Sequence, residues 1–256
     1  MKISLAGYCH LGIAFLLCSL SSAVYADTVR VAVASNFADT LRIIKPQFEQ
    51  RSGHHLVISS AASGILYAQI TQGAPYDVYL AANADYPARL EQQGRAVPGS
   101  RQIYAIGRLA LVSNNRPLLE HTELRAVLSD DQQRIAIANP QTAPYGAAAL
   151  ETLQRLGLYD QTRSRLVMGE NVAQALQYVV SGNAGLGLVA LAQVLGKERP
   201  WRLHYREIPA GLHAPIEQQM VLLAGKNPAA ASFYRFMCEA ETQTMLHQQG
   251  YDTRCE

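Results

Sequence analysis

Two serines stand at junctions where a predicted strand gives way to a predicted helix, and neither has a Lys, Arg or His beside it. Ser35 lies in the stretch VASNFADTL, and Ser63 lies in the stretch SSAASGILYAQI. A helix start exposes up to four unpaired backbone N–H groups and carries a partial positive charge. Several helix starts aimed at one point can therefore bind a dianion without any side-chain cation. The chemistry that these two junctions favour is the binding of a small oxyanion.

Three further junctions share this character. Ala82 follows a third predicted strand, Tyr145 lies at the start of a fourth helix, and Val172 opens a fifth helix. Ser and Asn are also the commonest N-cap residues, so capping alone explains any one such position. The prediction of an anion site therefore depends on the whole set of junctions. A site made only of donors would also exclude hydrogen phosphate, because the O–H of that anion would find no acceptor.

The elements that must position these residues alternate between strand and helix. Short apolar runs and alternating apolar residues predict strands, whereas apolar residues three and four positions apart predict helices. The predicted strands cover 28–34, 56–60, 77–82, 109–113, 134–138, 185–191 and 218–224. The predicted helices cover 37–52, 64–72, 85–93, 146–156, 172–180 and 229–249. This alternation predicts α/β lobes with mostly parallel sheets, in which ligands bind beyond the carboxyl ends of the strands.

Residues 1–26 have the pattern of a cleaved secretory signal peptide. Lys2 is the only charge before Asp27, an apolar run covers 11–20, and Val24-Tyr25-Ala26 ends like a signal-peptidase site. The apolar run is shorter than the roughly 20 residues that span a bilayer. We therefore expect a soluble product that is exported from the cytosol.

The charge of the chain indicates no polyanionic partner. Its formal net charge is +2, and removal of Lys2 with the signal leaves +1, so neither nucleic acid nor a membrane surface is an expected partner. The basic segment GKERPWRLHYREIP is predicted to be a solvated edge strand of an exported protein.

Two cysteines, Cys238 and Cys255, remain once the signal is removed. Export permits a disulfide, and two leftover thiols in an exported chain usually pair. Cys238 lies in the last predicted helix, and Gly250-Tyr251 is the expected exit from that helix, so the tail can fold back on it. We therefore predict a disulfide between Cys238 and Cys255. Zinc-type cysteine spacing is absent from the sequence, so we predict no metal cation site.

Four stretches together resemble the periplasmic molybdate-binding proteins of ABC importers. They are VASNFADTL, SSAASGILYAQITQGAPYDVYLAAN, IANPQTAPYGAAALETLQRLG and ENVAQALQYVVSGNAGLGLV. The most specific part is QITQGAPYDVYLAA, in which Gly73-Ala74-Pro75 and Asp77 keep a fixed spacing before a strand. The resemblance covers nearly all of the mature chain. It implies a two-lobed, type II-like periplasmic binding protein fold, with each lobe a mostly parallel sheet flanked by helices and with two hinge crossings.

The resemblance also implies a ligand, partners and lobe boundaries. Molybdate, or tungstate, would be clamped between the lobes and delivered to a membrane permease and its ATPase, without enzyme activity and without a cofactor. The protein is expected to act as a monomer. Lobe one is expected to comprise 27–105 and 217–256, and lobe two is expected to comprise 106–216.

The family's ligand contacts are carried over onto five positions of this sequence. Its two serine hydroxyl donors fall on Ser35 and Ser63. Its backbone N–H donors fall on Ala82, Tyr145 and Val172. A backbone donor does not depend on its side chain, so Tyr145 is compatible with this role although the family usually has a smaller residue there.

One position departs from the family pattern. The family's remaining donor is a tyrosine hydroxyl, and Ala190 occupies that position here. Tyr145 is a candidate replacement, because its phenol lies at a helix start that faces the anion. Two alternatives follow for Tyr145: its hydroxyl reaches the anion or closes the cavity mouth, or its ring points to solvent and a water fills the gap.

Other functions remain open on the residues alone. A binding protein for sulfate or chromate would use the same donors, because discrimination among these dianions depends on cavity size. A secreted hydrolase could use Ser35 or Ser63 as its nucleophile, although the G-x-S-x-G elbow is absent. A metal-binding transport protein would need a chelating cluster, and the adjacent His54 and His55 would face opposite sides of a strand.

Overall fold

The structure is a computed structural model, and it describes residues 27–118, 123–195, 200–225 and 227–255. The predicted signal over 1–26 lies outside the described residues. No helix in the described ranges is both long enough and apolar enough to cross a bilayer.

Within the described ranges the chain forms ten strands, which assemble into two five-stranded sheets. The strands are β1 (Thr28–Ala34), β2 (His55–Ala61), β3 (Val78–Leu80), β4 (Gln102–Gly107), β5 (Leu109–Ser113), β6 (Ile135–Ala138), β7 (Leu166–Gly169), β8 (Leu186–Ala190), β9 (His204–Glu207) and β10 (Ile216–Leu222). The first sheet has the order β2-β1-β3-β10-β4, and the second sheet has the order β7-β6-β8-β5-β9. The prediction of a two-lobed α/β fold is confirmed.

Each sheet combines two parallel and two antiparallel pairs, so the sheets are mixed and the expectation that they are mostly parallel is not met. In the first sheet, β1 pairs in parallel with β2 and β3, whereas β10 runs antiparallel to β3 and β4. In the second sheet, β6 pairs in parallel with β7 and β8, whereas β5 runs antiparallel to β8 and β9. The antiparallel pairs all involve the strands next to the two crossings between the sheets. The parallel part of each sheet is the part that opens towards the site described below.

The helices of the described ranges cover the faces of the two sheets. They are α1 (Ala38–Ser52), α2 (Ser63–Thr71), α3 (Asp85–Gln92), α4 (Leu124–Leu128), α5 (Pro144–Arg155), α6 (Tyr159–Thr162), α7 (Val172–Val180), α8 (Ala192–Leu195), α9 (Pro228–Met237) and α10 (Ala240–Gln248). Apolar strand residues are buried beneath them, as in β6, where all four residues are buried. A strand that is buried on both faces is expected where helices cover both sides of a sheet.

The chain crosses between the sheets twice. It leaves the first sheet after β4 and enters the second at β5, with only Arg108 between the two strands. It returns between β9 and β10, over residues 208–215. Arg108 is held at the first crossing, because its carbonyl accepts from the N–H of Leu191 at 2.8 Å and its Nε lies 3.3 Å from Glu207 Oε1.

The C-terminal segment returns to the first sheet. Cys238 and Cys255 form a disulfide, as predicted, with their Cα atoms 5.3 Å apart. The prediction of one helix over 229–249 is wrong, because the chain turns at Cys238 and Glu239, where Glu239 has an extended backbone. No Gly or Pro marks this break in the sequence. Beyond α10, Asp252 forms an antiparallel bridge with Ile106 of β4.

Candidate oxyanion-binding site

The five predicted ligand-binding residues line one small cavity between the two sheets. Ser35, Ser63 and Ala82 come from the first-sheet side, and Tyr145 and Val172 come from the second-sheet side. The remaining lining residues are Ala34, Asn36, Ala62, Ala143 and Pro144. None of these ten residues carries a charge. Their role in binding stays a prediction, but the structure brings them together.

Helices begin at this cavity from both sheets. On the first-sheet side α1 starts just after Asn36 and α2 starts at Ser63, and both follow parallel strands. On the second-sheet side α5 starts at Pro144 and α7 starts at Val172. Because the carboxyl ends of parallel strands meet at one edge of a sheet, each sheet directs two helix starts to the same place. Their unpaired N–H groups make the cavity electropositive although it has no cation.

Ser63 is held by two hydrogen bonds from its own side of the cavity. Its Oγ accepts from the backbone N–H of Ala82 at 3.0 Å, and its carbonyl accepts from Tyr79 Oη at 2.7 Å. The hydroxyl hydrogen of Ser63 is therefore available to a ligand, whereas the Ala82 N–H already has an acceptor in this structure. Burial raises the pKa of Tyr79 well above its ordinary value, so its hydroxyl remains a neutral donor.

Asn36 lines the cavity beside Ser35, and sequence reasoning missed it. The N–H of Ser35 donates to the carbonyl of Ala61 at 3.0 Å, so Ser35 offers its hydroxyl rather than its backbone. The Asn36 side chain is also occupied, because Nδ2 donates to Gln218 Oε1 at 2.8 Å. Asn36 therefore faces the cavity with its backbone. The signal in the sequence is an Asn close to a helix start, a context that capping also explains.

The donors on the second-sheet side are backbone groups. Asn171 caps α7, because its Oδ1 accepts from the N–H groups of Ala173 and Gln174 at 3.0 and 3.1 Å. This cap leaves the first N–H of the helix, that of Val172, without an intrahelical partner. In the part of the chain that the structure describes, the N–H groups of Asn36, Tyr145 and Val172 donate to no protein acceptor. All three belong to residues that line the cavity.

The side chain of Tyr145 is buried, with 1% of its surface exposed. The expectation that its ring points to solvent is therefore wrong. Its hydroxyl lies against Gly107 at the end of β4, where an added Cβ would stand 2.1 Å from the oxygen. Burial, with a smaller contribution from Tyr251, raises the pKa of Tyr145 well above its ordinary value. Ala190, at the end of β8, is fully buried and is not one of the residues that line the cavity.

The two sides of the cavity touch each other at Gly64. Its N–H donates to the carbonyl of Thr142 at 2.9 Å, which joins the start of α2 to the loop before α5. An added Cβ at Gly64 would stand 3.1 Å from the Thr142 backbone and 2.7 Å from Tyr86 Oη. The absence of a side chain at Gly64 therefore allows this close approach between the first-sheet and second-sheet sides.

The site does not have the geometry of a serine hydrolase. A serine nucleophile needs a base within hydrogen-bond reach. Among the described residues, neither Ser35 nor Ser63 forms a hydrogen bond with a histidine. The hydroxyl of Ser63 instead accepts from a backbone N–H, which does not activate it. The same ranges contain no group of three His, Cys, Asp or Glu residues placed to hold a metal ion.

Two sheets, each flanked by helices, are joined by two crossings of the chain and enclose a small cavity between them. This architecture defines a two-lobed binding protein. Residues 29–252 match the family described as bacterial extracellular solute-binding protein. Molybdate-binding protein ModA of Azotobacter vinelandii is 41% identical over 91% of this chain and 92% of its own length. Molybdate-binding protein ModA of Rhodobacter capsulatus is 38% identical, with 93% of each chain covered.

A solved structure shows the same likeness in three dimensions. The periplasmic molybdate-binding protein of Azotobacter vinelandii matches with a TM-score of 0.82 and 39% identity, covering 88% of this chain and 99% of that one. This chain therefore belongs to the family of bacterial extracellular solute-binding proteins, and its predicted resemblance to the molybdate-binding members is confirmed.

Proposed function

We propose that this protein captures molybdate, or tungstate, between two lobes and delivers it to an ABC permease. The observation that carries the proposal is the convergence of four helix starts and two serine hydroxyls on a cavity without a charged lining residue. A tetrahedral dianion without protons can accept from every donor there. Molybdate is also the ligand named for the two relatives that are about 40% identical to this chain.

The number of donors is sufficient for tight binding. A hydrogen bond to a charged partner contributes about 1.5–3 kcal/mol. Five such bonds together contribute about 7.5–15 kcal/mol, which reaches or exceeds the roughly 8 kcal/mol that corresponds to micromolar affinity. The surplus offsets the cost of desolvating the anion and of bringing the lobes together.

The proposed lobes follow the two sheets. The predicted boundaries near Ala105 and Glu217 fall inside β4 and β10, which both pair within the first sheet. We therefore place the hinge a few residues away, at Arg108 and within 208–215. In this proposal the ligand closes the hinge, because the first-sheet donors belong to one lobe and the second-sheet donors to the other.

The proposal includes the route and the partners of the protein. Residues 1–26 act as the signal for export, the mature protein acts as a periplasmic monomer, and the partners are a membrane permease and its ATPase. Membership of an extracellular solute-binding family and the description of a relative as periplasmic support this assignment. Binding and delivery require neither a catalytic residue nor a cofactor.

Isothermal titration with molybdate, tungstate, sulfate and chromate, each added to ligand-free protein, tests the proposed function. Molybdate or tungstate should bind at least tenfold more tightly than sulfate. Ser35→Ala and Ser63→Ala should each weaken molybdate binding by roughly tenfold to a hundredfold, because each removes one donor to a charged ligand. The control Ser181→Ala, beyond the last residue of α7, should bind like the parent. If Ser35→Ala and Ser63→Ala both bind molybdate as tightly as the parent protein does, the binding site lies elsewhere.

A further inference from the structure

The buried side-chain amide of Gln218 connects the proposed anion site to β10, the strand by which the chain returns to the first sheet. Gln218 lies in β10 and is fully buried. Its Oε1 accepts from Asn36 Nδ2 at 2.8 Å and from Tyr104 Oη at 3.1 Å. An amide oxygen can accept from two donors, so both acceptor positions of Gln218 are used. With Oε1 directed at these two groups, Nε2 lies at the other side of the carboxamide, away from Asn36.

Asn36 is the residue through which Gln218 reaches the cavity. Besides its bond to Gln218, the carbonyl of Asn36 accepts from Tyr251 Oη at 2.9 Å. Asn36 Nδ2 also lies 3.3 Å from the same Tyr251 oxygen. The turn that carries Ser35 and Asn36 is therefore held on its far side by Gln218 and Tyr251. Its near side faces the cavity, with the Asn36 N–H and the Ser35 hydroxyl.

The other end of Gln218 faces the second-sheet side of the site. Within the described residues, Gln218 Nε2 and Tyr145 Oη are both buried and both lack a hydrogen-bond partner. They flank one point: an added Cβ on Gly107 would stand 3.0 Å from Gln218 Nε2 and 2.1 Å from Tyr145 Oη. Because Gly107 has no side chain, both polar atoms can approach this point, and these distances place them within about 5 Å of each other. A buried donor and a buried acceptor that both lack partners, at close range, are suited to pair.

We propose that Gln218 is a positioning residue that couples anion binding to closure of the lobes. Its Oε1 holds Asn36 against the anion, and its Nε2 donates to the Tyr145 hydroxyl once the anion draws the backbone of Tyr145 into the site. One side chain then links the donors of both lobes. The inference rests on the proposed oxyanion function, and it also gives the Tyr145 phenol a partner other than the anion.

Molybdate titration and stopped-flow dissociation on a double-mutant cycle test this coupling. Gln218→Met keeps the length of the side chain and removes both polar ends, whereas Tyr145→Phe removes only the phenol oxygen. We expect Gln218→Met to weaken molybdate binding roughly tenfold and Tyr145→Phe roughly threefold to fivefold, mainly through faster dissociation. The double variant should be no weaker than Gln218→Met, because the two groups act on each other.

A matched control is Gln47→Met, in the middle of α1. Gln47 lies nine residues after Ala38, about 14 Å along the helix axis, and its Oε1 is also buried without a partner among the described residues. This variant should bind molybdate like the parent. Additive losses in the double variant, or a Tyr145→Phe variant that binds and dissociates like the parent, would overturn the coupling. If the parent itself binds none of the tested dianions, the proposed function fails instead.

The side-chain amide signals of Gln218 give a second test that does not require Gln218→Met to fold. In the parent, molybdate should shift one Nε2 proton downfield, as expected when a donor gains an acceptor. In Tyr145→Phe the same addition should leave that proton in place while the backbone signals of Val172 still respond to the ligand. An equal shift of the Gln218 proton in both proteins would overturn the proposal.

Discussion

The two sides of the proposed anion site present different kinds of donor. On the first-sheet side, Ser35 and Ser63 bring hydroxyl groups, and buried side chains fix the backbone that carries them, as Tyr79 does for Ser63. On the second-sheet side, Tyr145 and Val172 bring backbone N–H groups, and both side chains belong to a hydrophobic cluster made mostly of second-sheet residues. The first-sheet side adds these hydroxyl groups to the backbone N–H of Asn36 and so depends in part on which side chains are present, whereas the second-sheet side depends on where the backbone lies.

This difference explains which substitutions each side can accept. A change of side chain on the second-sheet side leaves the donor in place, so the N–H of Tyr145 is available whatever the size of its side chain. A change of Ser63 on the first-sheet side removes the donor itself. Substitutions can separate the contribution of a side chain from that of a backbone N–H group, because proline removes the N–H and alanine keeps it.

The largest effect should come from removing the N–H of Val172. Proline is favoured at the first position of a helix, and the extended backbone of Asn171 (φ −150°, ψ 173°) suits the residue before a proline. Val172→Pro should therefore keep α7 and lose one donor to a charged ligand, which weakens molybdate binding by roughly tenfold to a hundredfold. Isothermal titration measures this change, and circular dichroism confirms that the helix content is retained.

Val172→Ala is the matched variant, because it shortens the side chain and keeps the N–H. Its affinity should stay within roughly threefold of the parent, although its melting temperature should fall with the lost buried methyl groups. Equal losses of affinity in Val172→Pro and Val172→Ala would show that the side chain matters on this side, and the comparison between the two sides would be wrong.

A smaller effect should follow from separating the two sides at Gly64. The Cβ of a Gly64→Ala variant would press on the Thr142 backbone and on Tyr86 Oη, so the close contact between the sides must open. Overpacking of this kind costs about 1–3 kcal/mol, and we expect molybdate affinity to fall roughly tenfold. Gly211→Ala is the control, since an added Cβ there meets nothing within 4 Å. Binding at the parent level in Gly64→Ala would mean that the contact is not needed for the bound state.

The smallest effect on binding is expected from pH. Burial raises the pKa of Tyr79, on the first-sheet side, and of Tyr145, on the second-sheet side, and it also raises that of Tyr104. The folded state therefore holds these protons more tightly than the unfolded chain. The free energy of unfolding should be unaffected by them below about pH 10, the ordinary tyrosine pKa, and should fall as the pH rises further.

Between about pH 7 and 9 these phenols stay neutral, so molybdate affinity should be constant while stability is retained. Titrations across this range, with thermal melts continued to higher pH, measure the two quantities separately. A clear drop in affinity before any loss of stability would indicate that an ionising group contacts the anion.

Much of the site could be predicted because its signals are local. Ser63 is the first residue of its helix, and Val172 follows an Asn that caps α7, so short stretches of sequence identify these positions. The disulfide was predictable for a similar reason, because only two of the four cysteines lie beyond the predicted signal. The basic edge strand was also predicted, and β9 is the outermost strand of the second sheet.

The features that could not be predicted depend on distant parts of the chain. The position of the Tyr145 phenol requires Gly107, which lies in β4 of the other sheet. The role of Asn36 requires Gln218, more than a hundred residues away, and its cap-like context concealed that contact. Strand β4 was missed because its pairing with β10 joins segments that are far apart in the sequence. Local patterns carry no information about such partners.

The uncharged lining of the cavity also bears on how fast an anion can reach it. Side-chain cations accelerate encounter through long-range attraction, which salt screens over about 10 Å at 0.1 M ionic strength. The field of a helix start falls off within its first turn, so it acts only on an anion that has already entered the cavity. With no charged residue among those that line the cavity, we expect the lining itself to add no long-range attraction that salt could screen. Retention after entry, rather than attraction from afar, then determines how long each anion stays.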